Sequence, residues 1–215
     1  MITSINKVSY PGTLIVILGQ DDGQPKYEER ADITRITDSK GIVTGFNFFN
    51  IESVIDYDQL PNGQVKLSAD DLAALNAKLA EAGFNDKLAY GQPTVVYGLV
   101  KSCEAHPDSD HLHVTKVDVG AADDVQIVCG APNIAAGQTV VVALPGTLMP
   151  NGLEIWPGEL RGVASFGMIC AARELGLPHA PEKRGIMVVP DSFKAGAAFE
   201  PTKCDELIAS GVITL

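Results

Sequence analysis

The second half of the chain is a series of short apolar runs separated by turn residues, and this spacing constrains the fold more than any other feature. The runs lie at residues 94–100, 112–119, 125–129, 139–144 and 153–160. Parallel strands need a crossover of about a dozen residues or more, usually a helix, and no such helix lies between these runs. The sequence therefore predicts a closed or nearly closed barrel of five short strands.

The first half predicts a different, mixed domain. Strand-like runs lie at Thr13–Leu18, Ala31–Thr37 and Ile42–Asn47, and they predict a small, mostly antiparallel sheet. After these runs, the spacing of apolar residues becomes typical of a helix. Ser68-Ala69-Asp70-Asp71 has the pattern of a capping box, so a helix is predicted from about Ala69 to Ala82.

A linker is predicted between the halves, at Asn85 to Pro93, where Gly91 and Pro93 interrupt regular structure. The domain organisation that follows is a small α+β domain of unknown role at residues 1–90 and an all-β domain at residues 93–208. A further strand is predicted at Gly185–Val189. The apolar residues near the end of the chain, such as Leu207 and Ile208, could pack back on the second domain or meet a second subunit.

The charge excludes a generic binder of polyanions. The formal net charge is −11, and it is evenly divided, with 8 basic and 13 acidic residues up to Gln92 and 8 and 14 after it. Nucleic-acid binders gain affinity when Lys and Arg neutralise phosphates. Any nucleic-acid role must therefore rest on a local basic or polar patch in acidic surroundings.

No targeting, metal or catalytic pattern stands out. The apolar run at Leu14–Leu18 is far shorter than the roughly 20 residues that span a bilayer, so neither a membrane span nor a signal peptide is predicted. No Ser-His-Asp order or pair of carboxylates at catalytic spacing is evident, so neither an enzyme nor a cofactor is predicted. The cysteines lack close pairing, which is typical of reduced thiols in a cytoplasmic protein; they are Cys103, Cys129, Cys170 and Cys204.

Five ordered motifs in the second half resemble the tRNA-binding OB-fold domain shared by the bacterial phenylalanyl-tRNA synthetase β subunit and the EMAP and Arc-type tRNA-binding proteins. They are His106-Pro107-x-x-Asp110-x-Leu112, Val117-Asp118-Val119-Gly120, Ile127-Val128-Cys129-Gly130-Ala131-Pro132-Asn133, Leu160-Arg161-Gly162-Val163-x-Ser165-x-Gly167-Met168-Ile169-Cys170 and Glu174-Leu175-Gly176-Leu177. With a separate mixed domain in front, the chain is similar to the stand-alone YtpR family.

The resemblance implies a five-stranded Greek-key OB-fold that binds tRNA, or structured RNA, without catalysis, in the cytoplasm and without a cofactor. It implies RNA-facing positions at Arg161, Ser165 and Met168, with Asn133 from the preceding motif. Arg161 would bind phosphate or stack on a base, Ser165 and Asn133 would hydrogen-bond base edges or a 2′-hydroxyl, and Met168 would offer a soft apolar contact. Related stand-alone domains often dimerise, so a homodimer is expected by analogy.

The chain departs from the family pattern by losing positive charge. His111 and His113 stand where basic residues are usual, and Glu154, Trp156 and Glu159 stand where lysine is common. Histidine is mostly neutral at pH 7. These substitutions motivate an alternative, a protein-interaction module of translation that docks its acidic surface on a basic partner.

Some of these residues have a second interpretation. The three histidines at positions 106, 111 and 113 could bind a metal, but the family motif already explains His106, and no metal site is predicted. Cys129 and Cys170 are interpreted as buried structural thiols. Arg161 could be a barrel-rim residue that pairs with Glu159 or Glu174.

Trp156 is the only tryptophan of the chain. It could stack on a base, or it could pack in the core or at the rim of the barrel.

Overall fold

The computed structural model describes residues 1–213 and divides into two compact units, Met1–Gln92 and a second unit that begins at Pro93. Within residues 1–213, no helix combines the length and the apolar composition that crossing a membrane requires. The two units have separate cores and are described one at a time.

The first unit is built on a six-stranded sheet in which every pairing is antiparallel. Its strands are β1 (Ile2–Asn6), β2 (Tyr10–Ile17), β3 (Lys26–Arg30), β4 (Ile33–Thr37), β5 (Val43–Phe48) and β6 (Gly63–Gln64), in the order β3-β4-β5-β2-β1-β6. This confirms the predicted antiparallel sheet, which is larger than expected. The edge strand β3 was missed because its sequence, KYEER, is charged rather than alternating, as is common at sheet edges.

Helix α1 (Ala69–Glu81) confirms the predicted helix and its capping box. The backbone N–H of Asp71 donates to Ser68 Oγ at 3.1 Å, and the backbone N–H of Ser68 donates to Asp71 Oδ2 at 2.8 Å. Leu75 and Leu79 are fully buried in the core of this unit, which also holds the phenylalanines of β5. Local capping and helical periodicity therefore account for α1.

The boundary between the units, at Gln92 and Pro93, lies inside the predicted linker, whereas residues 86–88 of that segment pack onto the first unit. The Asn76 side chain accepts from the Leu88 backbone N–H at 2.7 Å and donates to the Leu88 carbonyl at 2.9 Å. Arg35 Nε lies 2.9 Å from a carboxylate oxygen of Asp86. These bonds hold the irregular segment 86–88 against the first unit. From the sequence alone, the segment is typical of a loop.

The second unit begins with a long strand and continues with shorter ones. They are β7 (Val95–Ala105), β8 (His113–Asp118), β9 (Val125–Cys129), β10 (Thr139–Ala143), β11 (Thr147–Leu148), β12 (Glu154–Ile155), β13 (Gly158–Leu160), β14 (Val163–Ser165), β15 (Met168–Ile169) and β16 (Val188–Val189). The main sheet runs β15-β10-β7-β8-β9, with β16 also paired to β10. The strands β11–β12 and β13–β14 form two separate hairpins.

Three expectations for the second unit can be compared with the observed elements. The hydrogen-bonded path of the main sheet has two free ends, at β15 and β9, so the strand pairings do not show a closed barrel. The run Leu153–Leu160 is two short strands, β12 and β13, because residues 156 and 157 fall outside both pairings. The unit is not all-β either, since α2 (Pro201–Ala209) is a helix with proline in its first turn, where no backbone N–H is needed.

The end of the chain packs on its own unit. Leu207 and Ile208 of α2 pack against a buried cluster that includes Tyr97 and Phe193, and Ile213 is buried in the same cluster. The Tyr97 hydroxyl lies 3.3 Å from Cys204 Sγ and accepts from the backbone N–H of residue 200 at 3.0 Å. Of the two alternatives for these apolar residues, packing back on the domain is the one observed.

Candidate nucleic-acid interface

Arg161 lies in the two-residue turn of the β13–β14 hairpin. Arg161 and Gly162 both have positive φ angles, 47° and 77°, which is the type I′ geometry favoured in tight hairpins. A side chain at positive φ is strained, and Asn or Gly is usual at this position. The turn projects the Arg161 guanidinium outward, where Nη1 donates to the Asp108 carbonyl at 3.1 Å.

The loop after β7 is fastened to this hairpin by His106, which is only 4% exposed. Its Nδ1 accepts from the Asp108 backbone N–H at 3.0 Å, and its Nε2 lies 3.1 Å from the Leu160 carbonyl. Only the neutral ring with the proton on Nε2 satisfies both contacts. His106 is therefore a buried connector between two of the family motifs, and both of its ring nitrogens are used.

Asp110, in the same loop as Asp108, remains charged at neutral pH. His111 Nδ1 lies 2.8 Å from Asp110 Oδ1, and this hydrogen bond is the main reason why the pKa of the Asp110 carboxyl is below its usual value, with the Arg161 charge contributing less. Neither Glu159 nor Glu174 forms an ion pair with Arg161 among the residues that the structure describes. The predicted rim pairing of Arg161 is thus not observed.

Ser165 joins the hairpin to β9 and is only 5% exposed. Its hydroxyl accepts from the Val128 backbone N–H at 3.1 Å and donates to the Gly167 carbonyl at 3.3 Å. Beside it, the Phe166 backbone N–H donates to the Gln126 carbonyl at 2.9 Å, and the Gln126 side chain donates to the Ala164 carbonyl at 2.8 Å. The Ser165 hydroxyl is engaged inside the fold, so it holds the surface in shape.

Asn133 has a comparable internal role. Its side-chain amide donates to the Ile186 carbonyl at 3.0 Å and accepts from the Ile186 backbone N–H at 2.9 Å. Gly185 has a φ of 145°, and a Cβ there would lie 2.9 Å from the Asn133 side-chain oxygen. Asn133 thereby fixes the course of the chain immediately after Arg184.

Met168 is half-buried on β15 and borders a cleft of about 250 Å³. Residues 128–132 line the cleft together with Ile169 and Ala171, and Arg173, Glu174 and Arg184 supply its charged groups. The Glu174 carboxylate accepts from the Ala171 backbone N–H at 2.7 Å. Of the residues predicted to face RNA, Met168 borders this cleft, Asn133 fastens its Ile186 wall, and Arg161 and Ser165 belong to the β13–β14 hairpin.

Two cations of this cleft, Arg173 and Arg184, were missed by the sequence interpretation. The sequence around each of them contains a signal that could have identified it. Arg173 directly precedes the Glu174-Leu175-Gly176 motif, and Lys183-Arg184 is the only pair of adjacent basic residues in the chain. They are the local cations that an acidic protein would need for binding RNA.

Exposed apolar groups lie on β13 and immediately after β14. Leu160 is 41% exposed and Phe166 is 44% exposed. Trp156 is half-buried, and its indole N–H donates to a carboxylate oxygen of Glu154 at 2.9 Å. Glu154 and Glu159 are both exposed, so the charge lost from the family pattern is lost at the surface.

The predicted burial of two thiols is confirmed. Cys129 and Cys170 are buried, and all four cysteines are free. Burial raises the pKa of Cys170 to about 12 and also raises the pKa of Cys129. Thiols with such pKa values are poor nucleophiles at neutral pH.

Within residues 1–213, no group of three or more His, Cys, Asp or Glu side chains is arranged to hold a metal ion.

Comparison with known proteins divides the chain in a similar way. A family model described as "Putative tRNA binding domain" matches residues 95–198, and one described as "Domain of unknown function" matches residues 20–91. The "Putative tRNA-binding protein YtpR" of Bacillus subtilis is 44% identical over 199 residues, which cover 91% of this chain and 97% of that protein.

Phenylalanine–tRNA ligase beta subunits match a smaller share of the chain. The subunit from Nitratidesulfovibrio vulgaris is 56% identical over 103 residues, which are 48% of this chain and 13% of that protein. The subunit from Latilactobacillus sakei is 44% identical over 131 residues, which are 57% of this chain and 16% of that protein. The chain therefore corresponds to a small part of those ligase subunits.

Proposed function

The chain belongs to the family of the Bacillus subtilis protein YtpR, and from this membership we propose that it binds tRNA without catalysing a reaction. The observation that carries the proposal is the match of residues 95–198 to a tRNA-binding domain model, because this range contains the hairpin of Arg161 and the cleft beside Met168. The proposal assigns binding to residues 93–208 and a cytoplasmic location to the protein.

The proposed fold of the binding domain is an OB-type barrel. Its support is the set of contacts between β9, the free end of the main sheet, and the segment 163–169. The Phe166 backbone N–H, the Ser165 hydroxyl and the Gln126 side chain all contribute hydrogen bonds there. Such a barrel binds nucleic acid on one strand face and the loops beside it.

The proposed contact residues are Arg161 and Met168, with Ser165 and Asn133 holding the surface in place. Arg161 is exposed and donates one hydrogen bond to a backbone carbonyl, so its remaining N–H groups are available for a phosphate. Met168 offers a polarizable apolar surface to an unstacked base. Ser165 and Asn133 act through the backbone that they fasten.

Few cations support the interaction, so the affinity should depend on salt but only moderately. With Arg161, Arg173 and Arg184 at phosphates, the logarithm of the binding constant should fall with the logarithm of salt concentration with a slope of about −2 to −3. Filter binding of the purified protein to bulk tRNA at several salt concentrations measures this slope. Binding no tighter than to unrelated duplex DNA at about 50 mM salt, without a salt slope, would contradict the proposal.

The alternative of a module that docks a basic protein is not favoured, because the matched family model describes tRNA binding over the same residues.

The homodimer expected by analogy stays a prediction, and sedimentation equilibrium of the purified protein checks it.

A further inference from the structure

A second cleft adjoins the one beside Met168. It has a volume of about 590 Å³ and shares Gly130, Pro132 and Arg184 with the first cleft. Asp110, His111 and His113 form its other side. The two clefts together are called the Arg184 groove below; its defining residues are His113, Gly130, Pro132, Met168, Arg173 and Arg184.

Arg184 is the cation common to both clefts. Its side chain is exposed and forms no hydrogen bond or ion pair with any of residues 1–213. The acids nearby are already engaged, since Glu174 accepts from a backbone N–H and Asp110 accepts from His111. The guanidinium of Arg184 therefore has its full set of donors available for an anion.

His113 adds a neutral donor to the groove. Its Nδ1 is buried and has no hydrogen-bond partner among residues 1–213. A buried N–H without an acceptor costs more than a buried lone pair that faces apolar groups, so the favoured ring form carries its proton on Nε2. His113, which lines the groove, then has an N–H donor at Nε2.

The backbone next to Arg184 is held in place. Asn133 hydrogen-bonds both backbone polar atoms of Ile186, and Gly185 packs directly on the Asn133 side chain. Arg173 Nη1 donates to the carbonyl of residue 183 at 2.9 Å, on the other side of Arg184. Because the backbone on both sides of Arg184 is fixed, the backbone loses little conformational entropy when the side chain binds a ligand.

We propose that the Arg184 groove binds unpaired nucleotides of RNA, with Arg184 and the His113 N–H at a backbone phosphate and a base against Met168 and Pro132. This rests on the proposed function and specifies which part of the RNA is bound there. The cleft volumes lie in or near the range of about 300–1,000 Å³ that is typical of small-molecule sites, which suits one or two nucleotides. An RNA duplex is too wide to enter, whereas unpaired bases can be splayed into such a groove.

The test uses the full-length protein and two labelled RNA probes in fluorescence anisotropy. One probe is a single-stranded uridine octamer, and the other is a blunt-ended hairpin with a minimal loop. Arg184→Ala is compared with Lys40→Ala, which removes one exposed cation from the first unit. The Lys40 side chain forms no ion pair with the described residues. Binding of the same variants to bulk tRNA is measured in parallel.

We expect Arg184→Ala to weaken octamer binding about 10-fold, because a charge-assisted hydrogen bond is lost, and to reduce the salt slope by about one. Lys40→Ala should bind both probes as the wild type does. His113→Phe, which keeps a ring but removes the donor, should weaken octamer binding about 3-fold or more. The blunt hairpin should be bound less tightly than the octamer and should be insensitive to Arg184→Ala.

The outcomes separate this inference from the proposed function. If tRNA is retained but the octamer is bound no better than the blunt hairpin, or Arg184→Ala binds the octamer as the wild type does, the groove proposal is overturned and tRNA binding stands. If neither tRNA nor the octamer is bound, both proposals fail.

Discussion

The side-chain amide of Asn133 hydrogen-bonds both the N–H and the carbonyl of Ile186, which lies 53 residues later in the chain. The amide thereby pairs with the backbone much as a neighbouring strand would. It connects the end of β9 to the segment that carries Arg184. One side chain thus supports both the stability of the second unit and the position of a cation at the groove.

Asn133→Asp should reduce the free energy of unfolding of the second unit by about 2 kcal/mol, because one donor is lost and a carboxylate oxygen then faces the Ile186 carbonyl. Urea unfolding followed by the fluorescence of Trp156, the only tryptophan, reports this unit. Asn151→Asp is the control. Asn151 is exposed and only accepts a hydrogen bond, from the Leu153 N–H, so a change of under about 0.5 kcal/mol is expected.

Ser165→Ala should destabilise the second unit by about 1–3 kcal/mol, because the buried Val128 N–H loses its acceptor. The folded fraction should bind tRNA nearly as tightly as the wild type, since the hydroxyl is engaged within the fold. Ser210→Ala, which removes an exposed hydroxyl that donates to the Leu207 carbonyl, serves as the control. A selective loss of tRNA affinity with unchanged stability would show that Ser165 contacts RNA directly.

Arg161→Asn should raise stability and lower affinity together. Asn tolerates the positive φ of 47° better than Arg does, so the free energy of unfolding should increase by about 0.5–1 kcal/mol. Loss of the guanidinium should weaken tRNA binding about 3- to 10-fold. Urea unfolding and filter binding on the same preparation measure both effects. Unchanged tRNA binding would remove Arg161 from the contact surface.

The contribution of Asp205 to the stability of the protein should be lost in acid. The His179 backbone N–H is the main cause of the lowered pKa of the Asp205 carboxyl, and a second hydrogen bond from the His179 ring adds to it. A carboxyl with a lowered pKa in the folded state stabilises the protein above its unfolded-state pKa and loses that contribution as pH falls through the folded value. The stability difference between wild type and Asp205→Asn should therefore shrink below about pH 4. Urea midpoints at several pH values test this, and a difference that persists unchanged into strong acid would contradict it.

The thiols should react in two classes. Cys103 is half-buried, whereas Cys129, Cys170 and Cys204 are buried, and burial raises the pKa of each of the four. We expect a thiol reagent such as DTNB to modify Cys103 first in the native protein and all four after denaturation. Cys103→Ser should abolish the fast phase. A fast phase that survives this change would place a reactive thiol among the buried cysteines.

Predictions from the sequence succeeded where the signal is local. The capping box of α1 and its leucine periodicity lie within a single stretch, so the helix could be predicted nearly to the residue. Strands β8, β9 and β10 followed from short apolar runs between turns. The β13–β14 hairpin was missed because its turn holds an arginine at positive φ, where Asn or Gly is the usual signal.

The sequence by itself determined the family, through an ordered series of motifs, and it determined the elements that local capping and periodicity specify. Only the tertiary structure decided which motif residues face outward. Ser165 is buried because it meets Val128, 37 residues away in the chain, and Asn133 is engaged because it meets Ile186. Arg184 likewise lines the same clefts as Gly130 and Pro132, which lie far from it in the sequence. Burial and hydrogen bonding depend on pairing between segments distant in sequence, which no local pattern encodes.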